Sequence, residues 1–158
     1  MLYFVFAFAF TFIGLQPIKS ASDVYASESE FATNHLDIST IELSTPVTDL
    51  VLNGADLETP EQIAGAYSNH EHKTLIVGHS STIFQNLKNV ELNANIIYND
   101  QQYVVTNIEE KEKSKIDMKE ILSESEQETI ILMTCSGEPI PNTNGDHTHR
   151  LIIMAEKI

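Results

Sequence analysis

Beyond its first 35 residues the chain is built from short apolar runs, and their shortness limits the folds open to it. Thr129-Ile130-Ile131-Leu132-Met133-Thr134 leads into the only cysteine, Cys135. Arg150-Leu151-Ile152-Ile153-Met154-Ala155 follows after a loop rich in Pro, Asn, Gly and His. Leu75-Ile76-Val77-Gly78 leads into His79 in the same manner. Runs of this length, rich in β-branched residues and bounded by turn residues, read as strands.

Taken in order, Ile38, Ile41 and Leu43 with Pro46-Val47 predict a first strand, and Thr48 to Leu52 a second. Asn53-Gly54 is a turn signal before Leu57. Thr59-Pro60-Glu61-Gln62 has the form of a helix start, with a capping threonine, a proline in the first turn and a glutamine three residues on. It predicts a short helix ending near Gly65. A polar loop over Asn69 to Lys73 precedes a buried strand from Thr74 to Gly78. Apolar spacing from Ile83 to Val90 predicts one or two helical turns after His79. Asn95 to Tyr98 and Gln102 to Thr106 form a hairpin around Asn99-Asp100. Glu109 to Lys115 reads as a solvated strand end or loop, and Asp117 to Leu122 as one capped helical turn. Seven or eight short strands with only small helices predict an all-β barrel or sandwich.

The N-terminal end is different. Leu2 to Leu15 is an uncharged apolar run, shorter than the ~20 residues that comfortably span a bilayer. Its length suits the apolar region of a signal peptide, with a possible cleavage site at Val24-Tyr25-Ala26, although no basic residue precedes it. Residues 1–19 are therefore read as a signal peptide or membrane anchor. Residues 20–35, rich in Ser, Ala, Glu and Asp, are read as a linker, and 36–158 as the domain. At 158 residues the chain has room for one well-packed core behind that leader.

Charge narrows the partners. With 23 acidic residues against 9 basic ones the formal net charge is -14. Nucleic acid and anionic lipid both require a basic surface, so neither is expected as a partner. A single cysteine rules out an intramolecular disulfide and any multi-cysteine zinc site. In an exported protein an unpaired thiol points to reactivity, against the plainer reading of a small core residue.

A thiol nucleophile requires a neighbour that controls its proton and a donor that stabilises the oxyanion of a tetrahedral intermediate. Cys135 and His79 both stand at strand ends. Arg150 opens the strand after the cysteine strand, and antiparallel pairing of the two brings its permanently charged fork close to the thiol. Each residue alone has an ordinary structural explanation; their conjunction is what argues for an active site. The pairs His70-Glu71-His72 and His147-Thr148-His149 would hold Zn²⁺ only if their loops met.

These residues resemble the sortase family of cysteine transpeptidases. Val77-Gly78-His79-Ser80 with Phe84 and Leu87 is similar to the family's histidine strand and the helix that follows it. Leu132-Met133-Thr134-Cys135 is similar to its Thr-Leu-x-Thr-Cys signature, and Arg150-Leu151-Ile152 to its arginine strand. Pro46-Val47 and Tyr103-Val104-Val105 fall in the expected order. The resemblance covers about Leu36 to Ile158. It departs from the pattern at Ser39, where a proline is expected, and at Asn93-Ala94, where Gly-Asp is usual. The acidic, histidine-bearing loop from Ser136 to His149 matches no subclass pattern.

The resemblance implies a closed eight-stranded β-barrel with a few short helices, in an extracytoplasmic enzyme at the cell surface. It implies cleavage of a Leu-Pro-x-Thr-Gly-like sorting signal on a surface protein or pilin, and transfer to an amine of peptidoglycan or pilin. Cys135 would form the thioacyl enzyme, His79 would move the proton and Arg150 would hold the substrate or its oxyanion. Thr134 would contact substrate. Some members bind Ca²⁺, but no calcium motif is present here, so no cofactor or metal is expected. Two alternatives stay open: a hydrolytic thiol peptidase, and a non-enzymatic exported metal-binding or adhesion domain.

Overall fold

The computed structural model describes residues 34–51, 58–143 and 145–158. The apolar leader, its cleavage site, the linker up to residue 33 and the Asn53-Gly54 turn lie outside the described residues. The first described strand begins at Asn34, two residues before the expected domain boundary.

Eight strands close into one barrel: β1 (Asn34–Ile38), β2 (Leu43–Asp49), β3 (Ala64–His70), β4 (Lys73–Val77), β5 (Asn95–Tyr98), β6 (Gln101–Glu112), β7 (Thr129–Pro139) and β8 (His147–Lys157). Their order around the barrel is β1-β2-β3-β4-β7-β8-β6-β5, and β5 pairs back onto β1 through Leu36–Tyr98 and Asp37–Ile97. The pairs β2–β3 and β4–β7 are parallel; the others are antiparallel. Closure leaves no free sheet edge. The expectation of an all-β closed eight-stranded barrel holds.

The interior is filled by one face of each strand, including Leu36, Val47, Ile76, Ile96, Val105, Ile130, Leu132 and Ile153, together with Phe84 and Leu87 from the segment after β4. Residues one step out of phase form a second apolar cluster on the outside. There Leu75, Val77, Ile131 and Ile152 pack under Ile116, Met118, Ile121 and Leu122 of the β6–β7 connection. That connection carries the single α-helix among the described residues, α1 (Met118–Ile121), whose first turn is capped by Asp117 accepting from the Lys119 N–H. Burial on both faces explains why β4 and β7 are continuous apolar runs rather than alternating ones. Fully burying each such aliphatic side chain contributes about 1.5–3 kcal/mol.

Several local expectations hold. Asn99 (φ 51) and Asp100 (φ 61) turn β5 into β6 with both central residues left-handed, as a tight hairpin requires. Others are corrected. The expected first strand is two strands, β1 and β2, split by a 3-10 turn over Ser39–Ile41 that ends at left-handed Glu42 (φ 55). Thr59-Pro60-Glu61-Gln62 forms no helix; it is an irregular strap, bent from Glu61 on, leading into β3. β3 itself replaces the expected polar loop over its last residues. The helical turn expected after His79 is present, but only as a 3-10 turn at Leu87–Asn89 preceded by non-helical turns. β6, β7 and β8 outrun their predicted ends, which shortens the β7–β8 loop to residues 140–146. Among the described residues, no helix is long and apolar enough to cross a membrane.

Candidate active site

The parallel pairing of β4 with β7 sets the site. Val77 is in register with Met133, so the two chains leave the barrel at the same end, side by side. Two residues further on lie His79 and Cys135. Between them Thr134, only 6% exposed, donates its hydroxyl to the Gly78 carbonyl at 2.7 Å. This bond fastens the residue before the cysteine to the residue before the histidine. Gly78 has no room for a side chain: a Cβ there would lie 2.7 Å from Ile83 Cγ2 and 2.8 Å from Phe84 Cδ2. The chain thus turns over Phe84 with its backbone in contact, and the His79 carbonyl accepts the Phe84 N–H at 3.0 Å.

Cys135 is a free, half-buried thiol directly opposite Arg150 in the antiparallel β7–β8 pair. Directly paired residues project to the same face of a sheet, so thiol and guanidinium share the outer face with Ile131 and Ile152. Just beyond Cys135, β7 bulges between Ser136 and Pro139, with Gly137 left-handed at φ +74. A Cβ on Gly137 would come within 2.5 Å of His149 Nδ1.

Arg150 is the only arginine in the chain, and its side chain is 16% exposed. Nη1 donates to the carbonyls of His147 (3.0 Å) and His149 (2.9 Å), and Nη2 to Asp146 Oδ1 at 2.7 Å. Asp146 also accepts from the His147 N–H at 2.9 Å and from Lys113 Nζ at its other oxygen. The Lys113 ammonium first, and then the Arg150 guanidinium, hold the Asp146 carboxyl well below the usual carboxylate range, against the opposing effect of burial.

His79 is held from the opposite side. Its Nε2 lies 3.2 Å from the Thr59 carbonyl, and Thr82 Oγ1 donates to the Glu61 carbonyl at 2.9 Å. A carbonyl only accepts, so this contact requires the proton on Nε2 and leaves Nδ1 of a neutral ring as the acceptor. The strap that follows β2 therefore ties down the turn that carries the histidine.

A cleft of about 760 Å³ opens beside the thiol, lined by Thr134, Cys135, Ser136, Glu110, Lys88 and His147 among others. His79 and Arg150 do not line it; His79 stands on the turn after β4, and Arg150 on β8 opposite Cys135.

The sequence-derived candidates thus fall at one end of the barrel: Cys135 and Arg150 by direct pairing, His79 and Thr134 through Gly78. The histidine pairs do not converge. The His72 carbonyl accepts the Thr129 N–H at the start of β7, whereas His149 pairs with Ser136 near its other end. Seven residues at about 3.3 Å each separate them by more than 20 Å along the strand. Among the described residues no group of three or more His, Cys, Asp or Glu side chains is placed to hold a metal. Sequence reasoning missed Asp146, Lys113 and Thr59. An acid four residues before the only arginine was a visible signal for the first; the other two are joined only by the fold.

A family model described as a sortase domain matches residues 36–158. No curated protein sequence matches the chain. Among solved structures, sortase A from Corynebacterium diphtheriae (a lid mutant) is similar at 24% identity and TM-score 0.60, over 79% of this chain and 69% of that one. Sortase A from Listeria monocytogenes is similar at 15% identity and TM-score 0.61, over 81% and 88%. Sortase C-1 from Actinomyces oris gives 16% identity and TM-score 0.60, over 93% and 84%. A second C. diphtheriae sortase A structure is covered over 60% of its length. At these identities the structures show a shared fold.

Proposed function

This chain belongs to the sortase family of cysteine transpeptidases, and from that premise we propose that it cleaves a Leu-Pro-x-Thr-Gly-like sorting signal and transfers the freed acyl group to an amine. The observation that carries this reading is the register of β7 against its two neighbours. It puts Cys135 opposite Arg150 on one side and, through the Thr134–Gly78 bond, beside the His79 turn on the other.

In the proposed cycle Cys135 gives its thiol proton to His79 as Sγ attacks the carbonyl carbon of the threonine in the signal, and Arg150 donates to the oxyanion that forms. The carbon–nitrogen bond to glycine breaks, His79 protonates the departing amine, and a thioester remains on Cys135. The incoming amine, giving its proton to His79, attacks the thioester carbonyl and releases the thiol. All these steps draw on side chains of the chain itself. Thr134 borders the cleft beside the nucleophile with its hydroxyl committed to Gly78. Ile108 and Leu151 in the wall of the cleft offer an apolar surface near the thiol for the leading residues of the signal.

Sortases act outside the cytoplasm at the cell surface. The proposed acyl donor is a surface protein or pilin bearing a sorting signal, and the acceptor an amine of peptidoglycan or pilin. Residues 1–19 are proposed to export or anchor the chain, and 36–158 to form the catalytic domain. Incubating the protein with such peptides, with and without an added amine, tests the reading. An amide product that grows with acceptor concentration is expected. Free acid alone at every acceptor concentration would show a peptidase instead.

A further inference from the structure

Arg150 is held more tightly than its place in the register requires. Pairing of β7 with β8 brings its Cα opposite Cys135, but a long side chain with free rotamers would leave the charged fork undirected. Here three of its five N–H donors are fixed by acceptors within the preceding four residues: the carbonyls of His147 and His149 and the Asp146 carboxylate. The carbonyls fix one terminal nitrogen, and the carboxylate fixes the other.

Asp146 is itself immobilised. Its backbone carbonyl accepts from the Ile140 N–H at 2.8 Å, and its N–H donates to Thr143 Oγ1 at 3.2 Å, whose hydroxyl donates to the Ile140 carbonyl at 2.7 Å. Its second carboxylate oxygen takes Lys113 Nζ, at the start of the β6–β7 connection that covers the outer apolar cluster. One carboxylate therefore joins the two loops flanking the thiol to the only guanidinium in the protein.

We propose that Asp146 is the positioning residue for Arg150, orienting the guanidinium so that its two remaining N–H donors face the reacting carbonyl beside Cys135. The inference rests on the transpeptidase reading for its consequence in turnover, but not for the geometry it asserts. A carboxylate holds a guanidinium more firmly than a neutral amide does, because the bond between them is charge-assisted from both sides. Misplacing a group that stabilises a transition state by about an ångström lowers turnover by up to about 100-fold.

The experiment has two arms on the full chain. Because Arg150 is the only arginine, its guanidinium NMR signals need no assignment by mutation. In the wild type, hindered rotation about the Nε–Cζ bond is expected to give separate Nη signals; in Asp146→Asn they are expected to average. In the second arm, peptide turnover by Asp146→Asn is expected to fall about 10- to 100-fold in kcat with little change in KM. Asp146→Glu, which keeps the charge, is expected to retain the separate signals and recover part of the kcat. It also serves as the test variant if the asparagine protein fails to fold. Guanidinium signals unchanged in Asp146→Asn, or an unchanged kcat, would overturn the proposal. A wild type that turns over no peptide contradicts the proposed activity instead, and the NMR arm still decides whether Asp146 orients Arg150.

Discussion

Thr134 and Gly78 are joined by a 2.7 Å hydrogen bond from the threonine hydroxyl to the glycine carbonyl, across the boundary between β7 and β4. The bond is buried, and its two residues immediately precede Cys135 and His79. The separation of the Cys135 and His79 backbones, the proposed nucleophile and proton carrier, is thereby set by backbone and one short side chain. A threonine before the cysteine is thus a structural tie as well as a wall of the cleft beside the thiol.

Thr134→Val keeps the shape and removes the donor. Leaving a buried carbonyl without its partner costs about 1–3 kcal/mol, so thermal unfolding is expected at lower temperature, with turnover reduced as the His79 turn loosens. Thr134→Ser keeps the hydroxyl and is expected to remain near wild type in turnover. Equal melting temperatures for valine variant and wild type would show that the bond fastens nothing.

Gly78→Ala acts on the other end of the same tie. The added methyl meets Ile83 and Phe84 at 2.7 and 2.8 Å, and Phe84 is core. Overpacking of this kind typically costs about 1–3 kcal/mol. Denaturant unfolding is expected to show that loss, and the turn bearing His79 is expected to shift, lowering kcat. A variant as stable and active as wild type would mean that the turn has slack.

Acid should weaken the Asp146 cluster in a defined direction. Its carboxyl titrates below the ordinary 3.8, because Lys113 and Arg150 favour its charged form. A carboxyl with a depressed folded pKa stabilises the fold at every pH above its unfolded value, and that contribution is lost as pH falls from there through the folded value. The stability difference between wild type and Asp146→Asn is therefore expected to be constant near neutrality and to shrink below about pH 4. Denaturant unfolding at a series of pH values measures it; a difference that grows on acidification contradicts the assignment.

Much of this was legible in the sequence where local chemistry and fold agree. Asn99-Asp100 can take left-handed angles and did; Asp117 could cap a helix and does. The strands delivering His79 and Cys135 are apolar on consecutive residues because both faces are covered, which no loop or surface helix would require. Ala64 to His70 was not legible as a strand. Ala-Gly-Ala-Tyr-Ser-Asn-His has little β-propensity, and the strand exists because β2 and β4 pair with it from both sides. The capping signal at Thr59 misled for a related reason: its carbonyl and that of Glu61 bind His79 and Thr82, and this tertiary use overrides a local preference for helix. The three candidate site residues, His79, Cys135 and Arg150, could be named from their strand ends as a proposal. The group that holds Arg150 could not, since it depends on how a seven-residue loop folds back on itself.

Cys135 is proposed to carry the acyl group between two substrates. Mass spectrometry of the protein after brief incubation with Leu-Pro-x-Thr-Gly-like peptides, quenched in acid, tests it most directly. The account predicts a thioester adduct on Cys135 with the mass of the peptide up to its threonine. The adduct should disappear on adding an amine and be absent in Cys135→Ala, whose barrel still folds. No adduct on Cys135 with any peptide of the series, or an adduct on another residue, would contradict it.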